Sequence, residues 1–166
     1  MKRFAIDVVL LPPDPVMDLA IAWNRMLLNR GQQIVLEKNH RIPHVSLVMG
    51  CLSVEKLEEA NSILEVIAAS HHVIKLEVPQ IKIVTTTSGS VASFDIDLSQ
   101  ELLLLHESLV TSFKPLLTRD TTEADMNDPT PIQVSTLQWI NNFIPNHCHN
   151  HYWPHITLGL GEPTST

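Results

Sequence analysis

Pro43-His44-Val45-Ser46-Leu47 and Pro154-His155-Ile156-Thr157-Leu158 repeat one five-residue order at positions 111 apart. Side chains on a strand alternate faces, so in each copy the histidine and the hydroxyl residue share one face. Val45 and Leu47, or Ile156 and Leu158, share the other. Each motif therefore offers one imidazole and one hydroxyl, backed by apolar anchors. Two such strands facing each other form a site with two imidazoles and two hydroxyls, an array suited to attack at phosphorus. One imidazole takes a proton from water or a hydroxyl, and the other gives one to the leaving oxygen. Histidine suits both tasks because it titrates near working pH, at about 6.5. The hydroxyls of Ser46 and Thr157 donate to the non-bridging phosphoryl oxygens, where charge must be stabilised. A single histidine in a strand carries no such meaning; the matched pair does.

These strands need a scaffold, and the chain supplies alternating strand and helix patterns. Phe4 to Leu11 reads as a buried strand. Asp14 followed by Pro15 predicts a helix start, with Val16, Leu19, Trp23, Met26 and Leu27 at helical spacing and Gly31 as its C-terminal cap. The stretch around Pro43 is extended, because proline cannot sit inside a helix there. Ser53 is placed to cap a second helix with Leu57, Ala60, Leu64 and Ile67 on one face. "VIKLEV", "IKIV" and "SVASFDIDL" alternate as half-buried antiparallel strands do. Ser99 begins a third helix through Leu102, Leu105 and Leu109. "TRDTTEADMNDPTP" is polar and turn-rich and reads as a surface loop, and "IQVSTLQWINNFI" as a short fourth helix. The expected fold is α+β, one domain over residues 1–166 made of two interleaved lobes.

At 18.6 kDa, with 44% hydrophobic and 17% charged residues, the chain has the make-up of a soluble globular domain. The net charge of -7 and the lack of a lysine or arginine run argue against duplex DNA and membrane surfaces as partners. Asp7 and the prolines at 12, 13 and 15 make the N-terminus an opening strand rather than a signal peptide. No apolar run reaches the ~20 residues of a bilayer span. Two cysteines, Cys51 and Cys148, give no disulfide framework, and a cytoplasmic protein is expected.

"NHCHNHYWPH" gathers His147, Cys148, His149, His151 and His155. Imidazole and thiolate are zinc ligands, but the alternating spacing is not an established zinc pattern, so no metal and no cofactor are expected. A polar loop beside the site, serving phosphate, is the better fit. Tyr152 and Trp153 precede the second motif and are candidate substrate contacts, since an aromatic face stacks on a base; core packing is the competing role. Arg41 and Lys82 are candidate cations, although each also fits a solvated charge. His40, His71, His72 and His106 read as surface or helix-end residues.

The two motifs, "HVSL" and "HITL", together with Gly50, the acidic helix after Ser53 and the order of elements, resemble the 2H phosphoesterase superfamily. That superfamily includes 2'-5' RNA ligase-like proteins and cyclic phosphodiesterases. The resemblance implies a bilobal fold of two pseudo-symmetric antiparallel-sheet lobes with outer helices and a central groove. It also implies metal-independent chemistry on 2',3'-cyclic phosphate or 2'-5' phosphodiester bonds. His44 and His155 are then the catalytic pair, and Ser46 and Thr157 bind the phosphate. Many RNA-ligase-like members carry an arginine shortly after the second motif, where this chain has Gly159, Leu160 and Gly161. A small cyclic nucleotide or an RNA 3' end is thus the expected partner of a monomer. The alternative is a nucleotide or RNA-end binding protein with the same groove and no turnover.

Overall fold

The computed structural model describes residues 2–28, 34–86, 89–127 and 132–161. The fold is α+β. Strands β1 (Arg3–Leu10), β2 (Val45–Ser53), β3 (Gln80–Thr86), β4 (Gly89–Asp95), β5 (Leu117–Thr118) and β6 (His155–Gly161) form a six-stranded antiparallel sheet. Its order is β1-β2-β6-β4-β3, and β5 pairs with β2. Helices α1 (Asp14–Leu28), α2 (Leu57–Ser70), α3 (Gln100–Phe113) and α4 (Val134–Asn146) complete it. Among the described residues no helix is long and apolar enough to cross a membrane. The chain divides into two compact units built from interleaved segments.

The first unit comprises Met1–Val8, Ser46–Lys75 and Leu98–Trp153. Its core takes Leu47, Val48, Cys51 and Leu52 from β2 and Leu102, Leu105, Leu109, Val110 and Phe113 from α3. α2 packs on α3 and buries Ala60 and Ile67, as its apolar spacing predicts. Ser99 caps α3 as expected, its side chain accepting from the Leu102 amide. Ser53 does not cap α2: a 3-10 turn, Val54–Lys56, intervenes, and the Val54 amide donates to the Lys2 carbonyl. The expected surface loop after Thr118 is more structured than its polarity suggests. A 3-10 turn at Glu123–Asp125 carries a reciprocal cap between Thr122 and Asp125. Asp125 is buried, and both its oxygens accept from Arg3, at 3.2 and 3.0 Å. Residues 128–131 of that stretch lie outside the described residues.

The Asp125 carboxyl is held below its ordinary value of 3.8, first by the Thr122 amide and then by the Thr122 hydroxyl and Arg3. Its native-state affinity for a proton is therefore lower than in the unfolded chain. The stability it supplies is full above that ordinary value and is lost as pH falls below it. Asp125→Asn should accordingly flatten the change in urea midpoint between about pH 5 and 3 relative to the parent protein. Equal acid sensitivity in both proteins would assign the acid response elsewhere.

The second unit comprises Val9–Val45, Leu76–Asp97 and Pro154–Thr166. α1 packs against β6. The stripe it buries is Ala20, Ile21 and Asn24, whereas Leu19 and Met26, expected on the apolar face, are half exposed. Asn24 explains the shift: its amide donates to the carbonyls of Ile34 (3.0 Å) and Leu158 (2.8 Å) and accepts from the Leu36 amide (2.9 Å). One side chain thus ties helix, connecting segment and motif strand together. Gly31, the expected cap, lies outside the described residues. "VIKLEV" forms no strand. Ile74 and Leu76 still alternate with exposed neighbours, but Pro79 has no amide to continue a ladder and β3 begins only at Gln80.

Candidate functional site

Burial along both motifs follows period 2: Val45, Leu47, Ile156 and Leu158 are buried, while His44, Ser46, His155 and Thr157 are half-buried. The two motifs meet in the sheet. Val45 on β2 and Ile156 on β6, their central residues, are antiparallel partners. Phe94 on β4 continues the row on the other side of Ile156. All three are nearly inaccessible, with exposures of 0, 2 and 4%.

An antiparallel register fixes what stands on the opposite face. One position beyond the Val45–Ile156 pair, His44 comes opposite Thr157, and His155 is then the diagonal neighbour of His44. Such diagonal neighbours lie about 7–8 Å apart, their Cβ atoms somewhat closer. Across β6 the rows continue onto β4 and β3. Thr157 faces Ser93, which faces Lys82; His155 faces Asp95, which faces Gln80. A bulge between Ala92 and Ser93 sets this alignment. Without the extra residue, Ser93 and Asp95 would turn to the buried side, because a one-residue slip exchanges the faces of a strand.

Local contacts orient the groups. The Nδ1–H of His44 donates to the Ile42 carbonyl at 2.6 Å, which leaves Nε2 as the acceptor in the neutral ring. The turn before it is sharp, and Arg41 adopts a positive φ of 51° that a side chain of its size rarely takes. Arg41 itself is half-buried. Asp95 accepts from Gln80 Nε2 at 3.0 Å, and Lys82 Nζ lies 3.8 Å from its other oxygen. Ser93 is fully buried, and its hydroxyl has no hydrogen-bond partner among the described residues. On the first unit's side of β2, Ser46 donates its hydroxyl proton to Asp7 at 2.7 Å.

His106 is the largest departure from expectation. It is not a surface residue: its exposure is 0%. Nδ1–H donates to the Leu47 carbonyl at 2.7 Å, and Nε2 accepts from the His149 amide at 3.3 Å. The ring stacks on Tyr152 at 3.7 Å between centroids, with planes 3° apart. The Tyr152 hydroxyl in turn donates to the Ser46 carbonyl at 2.9 Å. Two adjacent carbonyls of the first motif strand are thus held by two stacked rings. Tyr152 is buried in this packing, and Trp153 is half-buried. A buried histidine bonding to a distant backbone carbonyl and amide leaves no periodic mark in sequence, so only its place on the inward face of α3, one residue after Leu105, could have signalled it.

The histidine-rich segment diverges. His147 stacks on Trp139 at 4.0 Å, His149 turns toward Glu107 at 3.8 Å, and the Cys148 thiol points to the Phe143 carbonyl. Burial pushes the Cys148 thiol up to about 11, so it is protonated at neutral pH. Among the described residues no three His, Cys, Asp or Glu side chains converge as a metal-ligand set. A cavity of about 550 Å³ in the second unit is lined by Asp18, Ile21, Arg25, Glu37 and Lys38, and neither motif histidine borders it. No family model matches this chain, and no curated protein matches it either.

Proposed function

We propose that this protein is a metal-independent phosphodiesterase acting on 2',3'-cyclic phosphate or 2'-5' phosphodiester bonds of small nucleotides or RNA ends. The observation that carries the reading is the pairing of the two motif centres, Val45 with Ile156, and the diagonal His44–His155 placement that follows from it. In this reading a water oxygen bonds to phosphorus as one imidazole takes its proton. The bond from phosphorus to the ribose oxygen breaks as the other imidazole protonates that oxygen, leaving a phosphomonoester. Thr157 donates to a non-bridging oxygen. Ser46 does the same once a phosphoryl oxygen competes with Asp7 for its proton. The reading carries with it the pseudo-symmetric lobes of the resembled superfamily, and a cytoplasmic, monomeric protein without a cofactor.

Purified protein should open 2',3'-cyclic nucleotides to a single monoester, with the rate unchanged by a chelator, because imidazoles and hydroxyls supply the proton transfer and charge stabilisation. Loss of turnover on chelation with recovery on adding zinc would overturn the metal-independent mechanism. The second reading is a binding protein without turnover. The hydrogen bond from Ser46 to Asp7 and the Gly159-Leu160-Gly161 sequence, where an arginine is common, favour it. Saturable binding of a cyclic nucleotide with no product after long incubation would decide for it.

A further inference from the structure

We propose that Ser93 is the positioning residue of Thr157, its hydroxyl donating to Thr157 Oγ1 while Thr157 gives its own proton to a bound phosphoryl oxygen. The assignment rests on the phosphodiesterase reading for the task of Thr157, and it adds a third hydroxyl that neither motif contains.

The first observation is the state of Ser93. Its exposure is 0%, and among the described residues its hydroxyl has no hydrogen-bond partner. A buried hydroxyl without a partner costs stability, because it has left water and received nothing in exchange. Alanine would fill the same place without that cost. Packing alone therefore does not account for a serine here, whereas a donor satisfied only in the liganded protein does.

The second observation is register. Ser93 on β4 is the direct antiparallel partner of Thr157 on β6, which puts their Cβ atoms about 4.5–5.5 Å apart on one face of the sheet. Cross-strand Thr and Ser hydroxyls at that spacing form hydrogen bonds. The neighbouring polar residues on this face do not compete for the Ser93 proton. Lys82, its partner on β3, is a donor only. Asp95 stands two residues along the same strand, about 6.6 Å away, and its carboxylate accepts from Gln80. Thr157 is half-buried, whereas Ser93 has no exposed surface. A phosphate therefore meets Thr157, and Ser93 acts through it.

A hydroxyl carries one donor and two acceptor positions, so Thr157 can give its hydrogen bond to the phosphoryl oxygen and accept one from Ser93 at once. Each bond in such a chain polarises the next. Charge on the non-bridging oxygen grows as water attacks, so the chain is stronger in the transition state than in the ground state. Both hydroxyls keep their own protons throughout.

The test separates stability from rate. Ser93→Ala should keep or raise the thermal midpoint of the free protein. It should lower kcat/KM on a 2',3'-cyclic nucleotide about three- to tenfold, the worth of one hydrogen bond, and mostly through kcat. A double-variant cycle identifies the partner. In a Thr157→Val background Ser93→Ala should change the rate less than about twofold, and in a Ser46→Ala background it should keep its full effect. Ser93→Cys, which keeps the shape and donates weakly, should resemble alanine. Parental rates in Ser93→Ala, or an effect undiminished by Thr157→Val, overturn the proposal and leave the enzyme reading standing. A lowered thermal midpoint in Ser93→Ala marks a bond of the free protein and overturns it too. A parent protein that opens no cyclic nucleotide overturns the enzyme reading. The cycle is then read in the Kd of adenosine 2'-monophosphate, where coupling of Ser93 to Thr157 retains the hydroxyl pair, and its absence, or no binding, overturns it.

Discussion

Replacing His44 or His155 with alanine should lower kcat/KM on a 2',3'-cyclic nucleotide by about 10²–10⁴-fold, the range that general acid-base groups contribute. The double variant should be scarcely worse than either single one, because in the proposed mechanism both residues serve one displacement and the loss of one idles the other. On the proposed mechanism the parent protein should display a bell-shaped pH profile of kcat/KM, one limb for each ionisation, reported as apparent values of the pair. Each alanine variant should lose a limb. Ser46→Ala and Thr157→Val should lower the rate and leave both limbs in place, since hydroxyls do not titrate in this range. Single histidine variants with parental turnover would reduce the repeated pentapeptide to a packing device.

His106 carries the second large expectation, and it concerns stability. His106→Ala removes a fully buried ring, its stacking on Tyr152 and two hydrogen bonds, and leaves the Leu47 carbonyl without its donor. Losses of buried aromatic rings cost about 3–5 kcal/mol, and an orphaned buried acceptor adds to that. The pH dependence follows from the same burial. Desolvation lowers the affinity of His106 for a proton below its ordinary value of 6.5, against a smaller opposing effect of the Leu47 carbonyl. The unfolded chain therefore binds the proton more readily. The stability tied to neutral His106 is complete above 6.5, begins to fall as pH drops past 6.5, and is gone once the folded-state value has been passed. Thermal melts of the parent should lose midpoint as pH falls below 6.5. His106→Asn, which keeps a donor for Leu47 and cannot protonate, should start lower and stay flat across that interval. Parallel pH curves for the two proteins would remove His106 as the source.

The residues that could be read from sequence are those whose role is local. Alternation places His44 with Ser46 and His155 with Thr157 on polar faces, and burial follows it along both strands. Ser99 caps α3 because a cap needs only a side chain and an amide three residues away. The residues that escaped reading act at long range through the backbone. Asn24 and His106 look like interruptions of apolar stripes, yet Asn24 satisfies the carbonyls of Ile34 and Leu158, and His106 the carbonyl of Leu47. Asp125 sits in a stretch as polar as any surface loop, yet it is buried, held by the Thr122 amide and hydroxyl and by Arg3, 122 positions earlier. Asp95 was visible as a polar position on an alternating strand. What it faces depends on a bulge that no periodicity announces.

The pairing of Val45 with Ile156 also has a kinetic side. It closes a loop of 111 residues, an entropic cost of about 4 kcal/mol beyond the constant cost of any closure. Contacts this remote form after local helices and hairpins have already ordered, as in chains of high contact order. The β3–β4 hairpin, with only two residues between its strands, needs no such search. During refolding the helices and that hairpin are therefore in place before the two histidines come within reach of each other. On the proposed reading the site is assembled only when this long-range pair closes, and a nascent chain lacking its sixth strand holds one motif histidine and not the other.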